Sequence, residues 1–210
     1  MLTKRPKFLD AALHLRRVLD QIETTYAFAY GTALGFHREG DFLEHDKDID
    51  IAISPKQNTH GRLEVLRALH ADPEIMIVRS GGALDDGLNI RALVFGIKID
   101  FDFFYPSDAS SSWWWSTSYS EDKHPGFRYR WLVRPFEPEL LCIANHNFRT
   151  VPTSFLDDSY ENWRIPIRFS YLGGIENQLY KGAIKEPWSN HQNDDLMDVE
   201  KIAHLFSLPK

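Results

Sequence analysis

The fold is decided by two neighbouring stretches, YGTALG at residues 30–35 and HDKDIDIAI at residues 45–53. The second stretch alternates carboxylates with isoleucines, and successive side chains of a β-strand point to opposite faces. Asp46, Asp48 and Asp50 are therefore predicted on one face of a strand, with the isoleucines anchoring the other. Carboxylates this close repel one another, and a hard divalent cation such as Mg²⁺ is the usual relief. The pattern predicts a metal-dependent phosphoryl-transfer site.

The glycine-rich stretch adds a second element of such a site. Gly31 and Gly35 flank Thr32, so backbone amides and a hydroxyl could approach a phosphate closely. Arg38 follows on the segment that this turn would open, and its planar guanidinium suits bidentate binding of phosphate. These residues are predicted to contact substrate.

The acidic stretch has two other interpretations. An EF-hand loop starting at Asp46 would need glycine at its sixth position and a bidentate Glu at its twelfth, where the chain has Ile51 and Gln57. A solvated edge strand would also carry charges, because charges protect sheet edges from aggregation. The glycine-rich turn upstream favours the metal site.

A third carboxylate is available in the strand pattern of residues 97–105. Asp100 and Asp102 share one face of this pattern, and a strand neighbouring the first could aim Asp100 at Asp48 and Asp50. Spacing alone leaves open which of Asp100 and Asp102 is the ligand. Three such carboxylates could clamp two metal ions about 4 Å apart.

These residues resemble the LicD/fukutin family of the nucleotidyltransferase superfamily. The first matching block comprises Gly31, Thr32, Leu34, Gly35, Arg38, Gly40, Phe42, Asp46, Asp48, Ile49 and Asp50. Lys98-Ile99-Asp100 resembles the family's later metal-binding strand, and residues 160–166, YENWRIP, resemble its C-terminal aromatic segment. The resemblance covers roughly residues 26 to 168.

The resemblance implies transfer of a phospho-alcohol, such as phosphocholine or ribitol phosphate, from a CDP-linked donor to a sugar hydroxyl of a glycan or glycolipid, with release of CMP. Carried over by position, Asp48, Asp50 and Asp100 are the expected catalytic residues and metal ligands, with Mg²⁺ or alternatively Mn²⁺ as the ion. The expected substrate-binding residues are Gly31, Thr32, Gly35, Arg38, Asp46, Trp163 and Arg164.

Two other function classes use the same residues. A nucleotidyltransferase would move a nucleotide from an NTP with release of pyrophosphate. A non-catalytic binding relative is disfavoured, because a degenerate site would be expected to have lost at least one of the three carboxylates.

Composition narrows the setting of this chemistry. The chain has 210 residues, is 43% hydrophobic and carries a net charge of −6, which argues against broad nucleic-acid binding. No apolar stretch reaches the ~18 residues of a membrane span, so a cytoplasmic protein is expected.

Trp113–Trp115, set among serines, suggests a surface loop that stacks on sugars, touches a membrane peripherally or covers a sheet edge. Cys142, among apolar neighbours, is predicted in the core.

The chain is predicted to form one α+β domain over residues 1–210, with a nucleotidyltransferase-like mixed sheet flanked by helices at about 7–105 and a loop-rich extension at about 106–210. Helices are predicted at 7–23, after the turn at 30–35, and around Leu63, Leu66 and Leu69; strands are predicted at 25–30, 48–53, 74–79, 88–95 and 97–104. A strand near residues 127–134 would hold Arg128, Arg130 and Arg134 on a solvated face, and a short helical tail would follow residue 200.

Overall fold

A computed structural model describes residues 3–22, 24–55, 59–107, 112–119, 127–167, 180–181 and 183–187. Over these residues the fold is α+β, with a seven-stranded mixed sheet, a four-stranded antiparallel sheet and four helices. The predicted tail after residue 200 lies outside the described residues. In the described part of the chain, no helix is both long and apolar enough to cross a membrane.

The elements follow the predicted order through residue 103. The helices are α1 (Pro6–Asp20), α2 (Tyr30–Glu39), α3 (Thr59–Ala71) and α4 (Thr153–Ser159). The strands are β1 (Tyr26–Phe28), β2 (Asp48–Ile53), β3 (Ile75–Ala83), β4 (Asp86–Val94), β5 (Ile97–Phe103), β6 (Tyr105–Pro106), β7 (Trp114–Tyr119), β8 (Phe127–Val133), β9 (Glu139–Ile143), β10 (His146–Thr150) and β11 (Ala183–Pro187).

Strand order places the acidic strand at the centre of the larger sheet, which runs β3-β4-β5-β2-β1-β10-β9. The β2–β5 and β1–β10 pairs are parallel and the others antiparallel. The smaller sheet runs β11-β8-β7-β6. Because β2 lies between β1 and β5, both of its edges are paired and its side chains are fixed in register.

Two hydrophobic clusters hold the layers together. The first joins α1 and α3 to the isoleucine face of β2 and contains Leu15, Ile49 and Ile51, all fully buried. The second lies between α4 and β7 and β8, with Phe104 and Phe155 at its centre. The alternation of β2 is thus used as predicted: its isoleucines pack into the first cluster, leaving the aspartates on the other face.

Gly40 and Gly96 adopt a left-handed backbone conformation at the end of α2 and in the turn between β4 and β5. Gly40 has φ +65° and caps the C-terminus of α2, where glycine adopts the left-handed conformation most easily. Phe95 and Gly96, with φ +51° and +77°, form the two-residue turn between β4 and β5. This turn sets the β4–β5 register and so decides which side chains of β4 face Asp100.

Three expectations from the second half of the chain are wrong. Trp114 and Trp115 are buried in β7, where a surface loop was expected, and only Trp113 of the run is exposed. Arg128 is 6% exposed and pairs with Asp86 and Glu186, because β8 is covered on the face that was predicted to be solvated. Cys142 is exposed, because it shares the outward face of the edge strand β9 with Leu140.

Candidate functional site: an acidic cluster on two parallel strands

Three carboxylates converge where β2 begins. Asp46, Asp48 and Asp50, here called the acidic triad, each offer an oxygen within 4.8 Å of the others. Asp48 and Asp50 point to the same face because they are two residues apart in β2, and Asp46 lies on the turn leading into the strand. All three are partly buried. The sequence therefore predicted this cluster correctly as a spatial group.

The start of α2 holds Asp50 by three hydrogen bonds. The Gly31 amide donates to Asp50 Oδ2 at 3.0 Å, the Asp50 amide donates to Thr32 Oγ1 at 3.0 Å, and the Ala29 amide donates to the Asp50 carbonyl at 3.0 Å. No side chain of Ala29 caps the helix, so the Asp50 carboxylate satisfies an amide that would otherwise be unpaired. The positive end of the helix dipole also favours the carboxylate. The glycine-rich stretch at residues 30–35 thus orients the Asp50 carboxylate. The predicted contact between this stretch and a phosphate group stays a prediction.

Gly31 is also required for space. A Cβ at this position would lie 2.7 Å from Asp46 Oδ2 and 3.3 Å from Asp50 Oδ2. The preceding residue, Tyr30, has φ +42°, a left-handed conformation that is strained for a tyrosine. The backbone of residues 30–31 therefore approaches the acidic triad as closely as a glycine allows.

Burial and the repulsion of neighbouring carboxylates raise the pKa of two members of the acidic triad, Asp46 and Asp50. Burial, followed by a hydrogen bond and charge repulsion from Asp48, raises the pKa of Asp46 to about 7. Burial and then the charges of Asp48, Asp46 and Asp100 raise the pKa of Asp50 well above its ordinary value. Nearby cations would reverse these shifts, because they stabilise the ionised carboxylates.

The neighbouring strand β5 brings a fourth carboxylate to the same face. Parallel pairing sets Asp50 opposite Asp100 and Asp48 opposite Lys98, which confirms the predicted adjacency of the two acidic strands. Asp100 accepts from Arg91 of β4 at 2.7 Å, and Lys98 Nζ lies 3.5 Å from Asp100 Oδ2 and contacts Asp48 Oδ2. Asp100 is therefore ion-paired within the sheet.

Asp102, the alternative to Asp100, has a different environment. It is 7% exposed, lies opposite Ala52 of β2, and accepts from Asn89 Nδ2 at 2.8 Å. Burial and then the charge of Asp100 raise its pKa to about 8. Of the two carboxylates on β5, Asp100 is the one set opposite a member of the acidic triad.

Three further residues lie around the site: Arg5 and Tyr180, which no sequence pattern indicated, and Tyr160, which begins the segment YENWRIP. Arg5 donates from Nη1 to the Glu44 carbonyl at 2.9 Å and from Nη2 to the Asp46 carbonyl at 3.0 Å, so it fixes the turn before β2. Burial, and then Tyr180 and the charges of Asp50 and Asp46, raise the pKa of Tyr160 well above its ordinary value. Tyr160 and Tyr180 form an isolated β-bridge beside the acidic triad.

Of the remaining predicted site residues, Gly35 and Arg38 lie in α2, and Trp163 and Arg164 follow the end of α4. Gly35 packs against the backbone of residues 41–43, where a Cβ would come within 2.6 Å of a carbonyl oxygen. Arg38 Nη1 donates to the Trp163 carbonyl at 3.2 Å, and its Nε is buried without a hydrogen-bond partner among the described residues. Trp163 donates to Asp157 at 2.7 Å, and Arg164 stacks on the Trp163 ring while pairing with Asp157.

The donor set of the acidic triad fits a hard divalent cation. Carboxylate oxygens are the ligands that Mg²⁺ and Mn²⁺ prefer, and no histidine or cysteine joins the candidate metal group found among the described residues. Burial first, and then the charges of neighbouring carboxylates, raise the pKa of Asp46 and of Asp50, and a bound cation would lower both pKa values by stabilising the ionised forms. The residues present therefore fit a magnesium-type site.

Comparison with known proteins yields one family. A family model described as LicD/FKTN/FKRP, nucleotidyltransferase domain, matches residues 23–139, which include the acidic triad and Asp100. No curated protein matches the chain. Trp163 and Arg164 lie beyond the matched residues.

Proposed function

Because the chain belongs to the LicD/FKTN/FKRP nucleotidyltransferase family, we propose that it transfers a phospho-alcohol from a CDP-linked donor to a sugar hydroxyl and releases CMP. Phosphocholine and ribitol phosphate are the types of group proposed, and a glycan or glycolipid is the proposed acceptor. We also propose that the protein works in the cytoplasm as one domain, without nucleic acid and with at most peripheral contact with a membrane.

One observation carries the proposal: within the matched residues, the acidic triad converges at the start of α2 beside a fourth carboxylate on β5. Asp48 and Asp50 are the proposed metal ligands, with Asp46 completing the set and Asp100 as the further carboxylate of the site. When bound, Mg²⁺ would neutralise phosphate oxygens and stabilise the departing CMP.

The chain's own contribution is chiefly positioning, since phosphoryl transfer requires little covalent chemistry of the protein. In the proposed step, the acceptor hydroxyl oxygen bonds to the phosphorus that carries the alcohol. The bond from that phosphorus to the bridging oxygen breaks, and CMP leaves with the electron pair. Asp100 is proposed to take the proton of the hydroxyl. Asp50 is kept in place by the hydrogen bonds from the start of α2.

The donor-binding residues follow from the positions already described. Arg38 is proposed to bind the donor phosphates through its guanidinium, and Gly31 and Thr32 are proposed to line the approach of the donor. Gly35, Trp163 and Arg164 are proposed to support this region, because Gly35 packs in α2 and Arg38 holds the Trp163 carbonyl.

The test is calorimetric binding of a panel of CDP-alcohols and NTPs, each with and without Mg²⁺. The wild type is compared with the double variant Asp48→Asn/Asp50→Asn, and Asp10→Asn serves as the matched control. Asp10 is an exposed carboxylate on α1, the helix that packs on the isoleucine side of β2. The control should therefore behave as the wild type.

The outcomes separate the functions. Mg²⁺-dependent binding of one CDP-alcohol, lost in the double variant and kept in the control, would support phospho-alcohol transfer and identify the donor. Binding of an NTP in preference to every CDP-alcohol would move the assignment to nucleotidyl transfer. Metal-independent binding that survives in the double variant would indicate a non-catalytic relative.

A further inference from the structure

A lysine reaches into the acidic face of the two parallel strands. Lys98 precedes Asp100 by two residues in β5, so both side chains share the face of the acidic triad. We propose that the Lys98 ammonium is a built-in cation that occupies the place between Asp48 and Asp100, so that the site takes one divalent cation, on the acidic triad. The inference rests on the proposed function, because it concerns the same site.

The contacts of Lys98 carry the first step. Its Nζ contacts Asp48 Oδ2 and lies 3.5 Å from Asp100 Oδ2, so it bridges carboxylates of neighbouring strands. The ammonium is therefore held between the strands as a cation.

Arg91 completes the pairing of Asp100. Its Nε donates to Asp100 Oδ1 at 2.7 Å and its Nη2 donates to Oδ2 at 3.3 Å, a fork that engages both carboxylate oxygens. A metal ion on Asp100 would have to share oxygens with Arg91 and lie close to Lys98. Asp100 is thus engaged by two side-chain cations, Lys98 and Arg91, whereas Asp48 of the acidic triad contacts Lys98.

Charge balance gives the same result. The acidic triad and Asp100 supply four carboxylates, and Lys98 and Arg91 contact two of them, Asp48 and Asp100. Asp102 lies further along the same face and accepts a hydrogen bond from Asn89, so it is counted apart from this group. Once these two cations are set against the four carboxylates, two negative charges remain among the six side chains, and one divalent cation would balance them. A second divalent ion between Asp48 and Asp100 would be repelled by the ammonium that already lies there.

Lys98 is therefore a positioning residue in this account. It sets the orientation of Asp48, which would bind the metal, and leaves Asp100 beside the metal without making it a ligand. The sequence prediction of a clamp for two ions, with Asp100 as the third metal ligand, would then apply only to a chain without this lysine.

The experiment counts bound Mn²⁺ per chain, by calorimetry and by the electron paramagnetic resonance signal of free Mn²⁺. The wild type is expected to bind one ion. Lys98→Met, which keeps the side-chain length and removes the charge, is expected to bind two, and Lys98→Arg is expected to return to one. Lys47→Met is the matched control, because Lys47 is an exposed cation adjacent to Asp46 in sequence, and it is expected to bind one.

Thermal unfolding is measured for each variant, and Lys98→Gln replaces Lys98→Met if the latter does not fold. Two ions in the wild type, or one ion in both Lys98→Met and Lys98→Gln, would overturn the inference while leaving the proposed function standing. No Mn²⁺ binding by the wild type would overturn both, because the acidic triad would then hold no metal.

Discussion

Replacing Gly31 with alanine should separate folding from metal binding. Gly31 lies within α2 and is not in the left-handed region, so alanine should favour the helix by about 0.5–1 kcal/mol. The added methyl would lie 2.7 Å from Asp46 Oδ2, and the carboxylate must retreat by about 0.7 Å to reach an ordinary contact of 3.4 Å. Displacing one member of the acidic triad by this distance should weaken Mg²⁺ binding about 10- to 100-fold, the range found when a ligand loses its support.

The assay pairs calorimetric titration of Mg²⁺ with chemical denaturation in its absence. Gly40→Ala is the control, because Gly40 has open space around it but needs its positive φ. That variant should lose about 1 kcal/mol of unfolding free energy and keep its Mg²⁺ affinity. Wild-type Mg²⁺ affinity in Gly31→Ala, with the fold intact, would refute the reasoning that the acidic triad binds the metal at the start of α2.

Three further predictions concern pH, Arg5 and Arg38. The pKa is raised to about 7 for Asp46 and to about 8 for Asp102, so the metal-free folded chain binds more protons than the unfolded chain and its stability should fall as the pH rises from about 4 through 8. For the same reason Mg²⁺ should bind more tightly at pH 8 than at pH 6 and should release protons when it binds. Equal Mg²⁺ affinity at the two pH values, without proton release, would contradict this prediction. Arg5→Met should lower the unfolding free energy by about 1–3 kcal/mol and weaken Mg²⁺ binding, because the turn at residues 44–46 loses the hydrogen bonds from Arg5. Lys4→Met is the control: the Lys4 side chain makes none of these hydrogen bonds, so this variant should change neither quantity. Arg38→Met should lower the unfolding free energy by about 1 kcal/mol, because the hydrogen bond to the Trp163 carbonyl is lost. It should also reduce the affinity for the CDP-alcohol while the affinity for Mg²⁺ stays the same. An unchanged affinity for the CDP-alcohol would show that Arg38 is not part of the substrate site.

The acidic strand could be read from the sequence because its pattern is local. Alternation of aspartate and isoleucine predicted β2 at residues 48–53, the bounds that the structure shows. The predicted strands at 88–95 and 97–104 are separated by a single residue, Gly96, which is typical of a tight turn, and the structure pairs them as β4 and β5 with Asp100 in the same sheet as β2. Both predictions depend on short-range rules of strand alternation and turn chemistry.

The partners of the acidic face could not be read in this way. Lys98 meets Asp48, and Arg91 meets Asp100, only through the register of paired strands, and the β2–β5 pairing joins segments about fifty residues apart. Arg5 acts through backbone carbonyls, which leave no mark in side-chain patterns. The burial of Trp114 and Arg128 could not be predicted, because both lie in strands of the second sheet and the contacts that bury them are made by residues distant in sequence.

The most direct test of the account is an anomalous difference map from crystals soaked in Mn²⁺ with the CDP-alcohol selected by calorimetry. We expect one peak bound by Asp46, Asp48 and Asp50, with the diphosphate against it and Lys98 still between Asp48 and Asp100. A peak on other residues, or a donor bound away from the acidic triad, would contradict it.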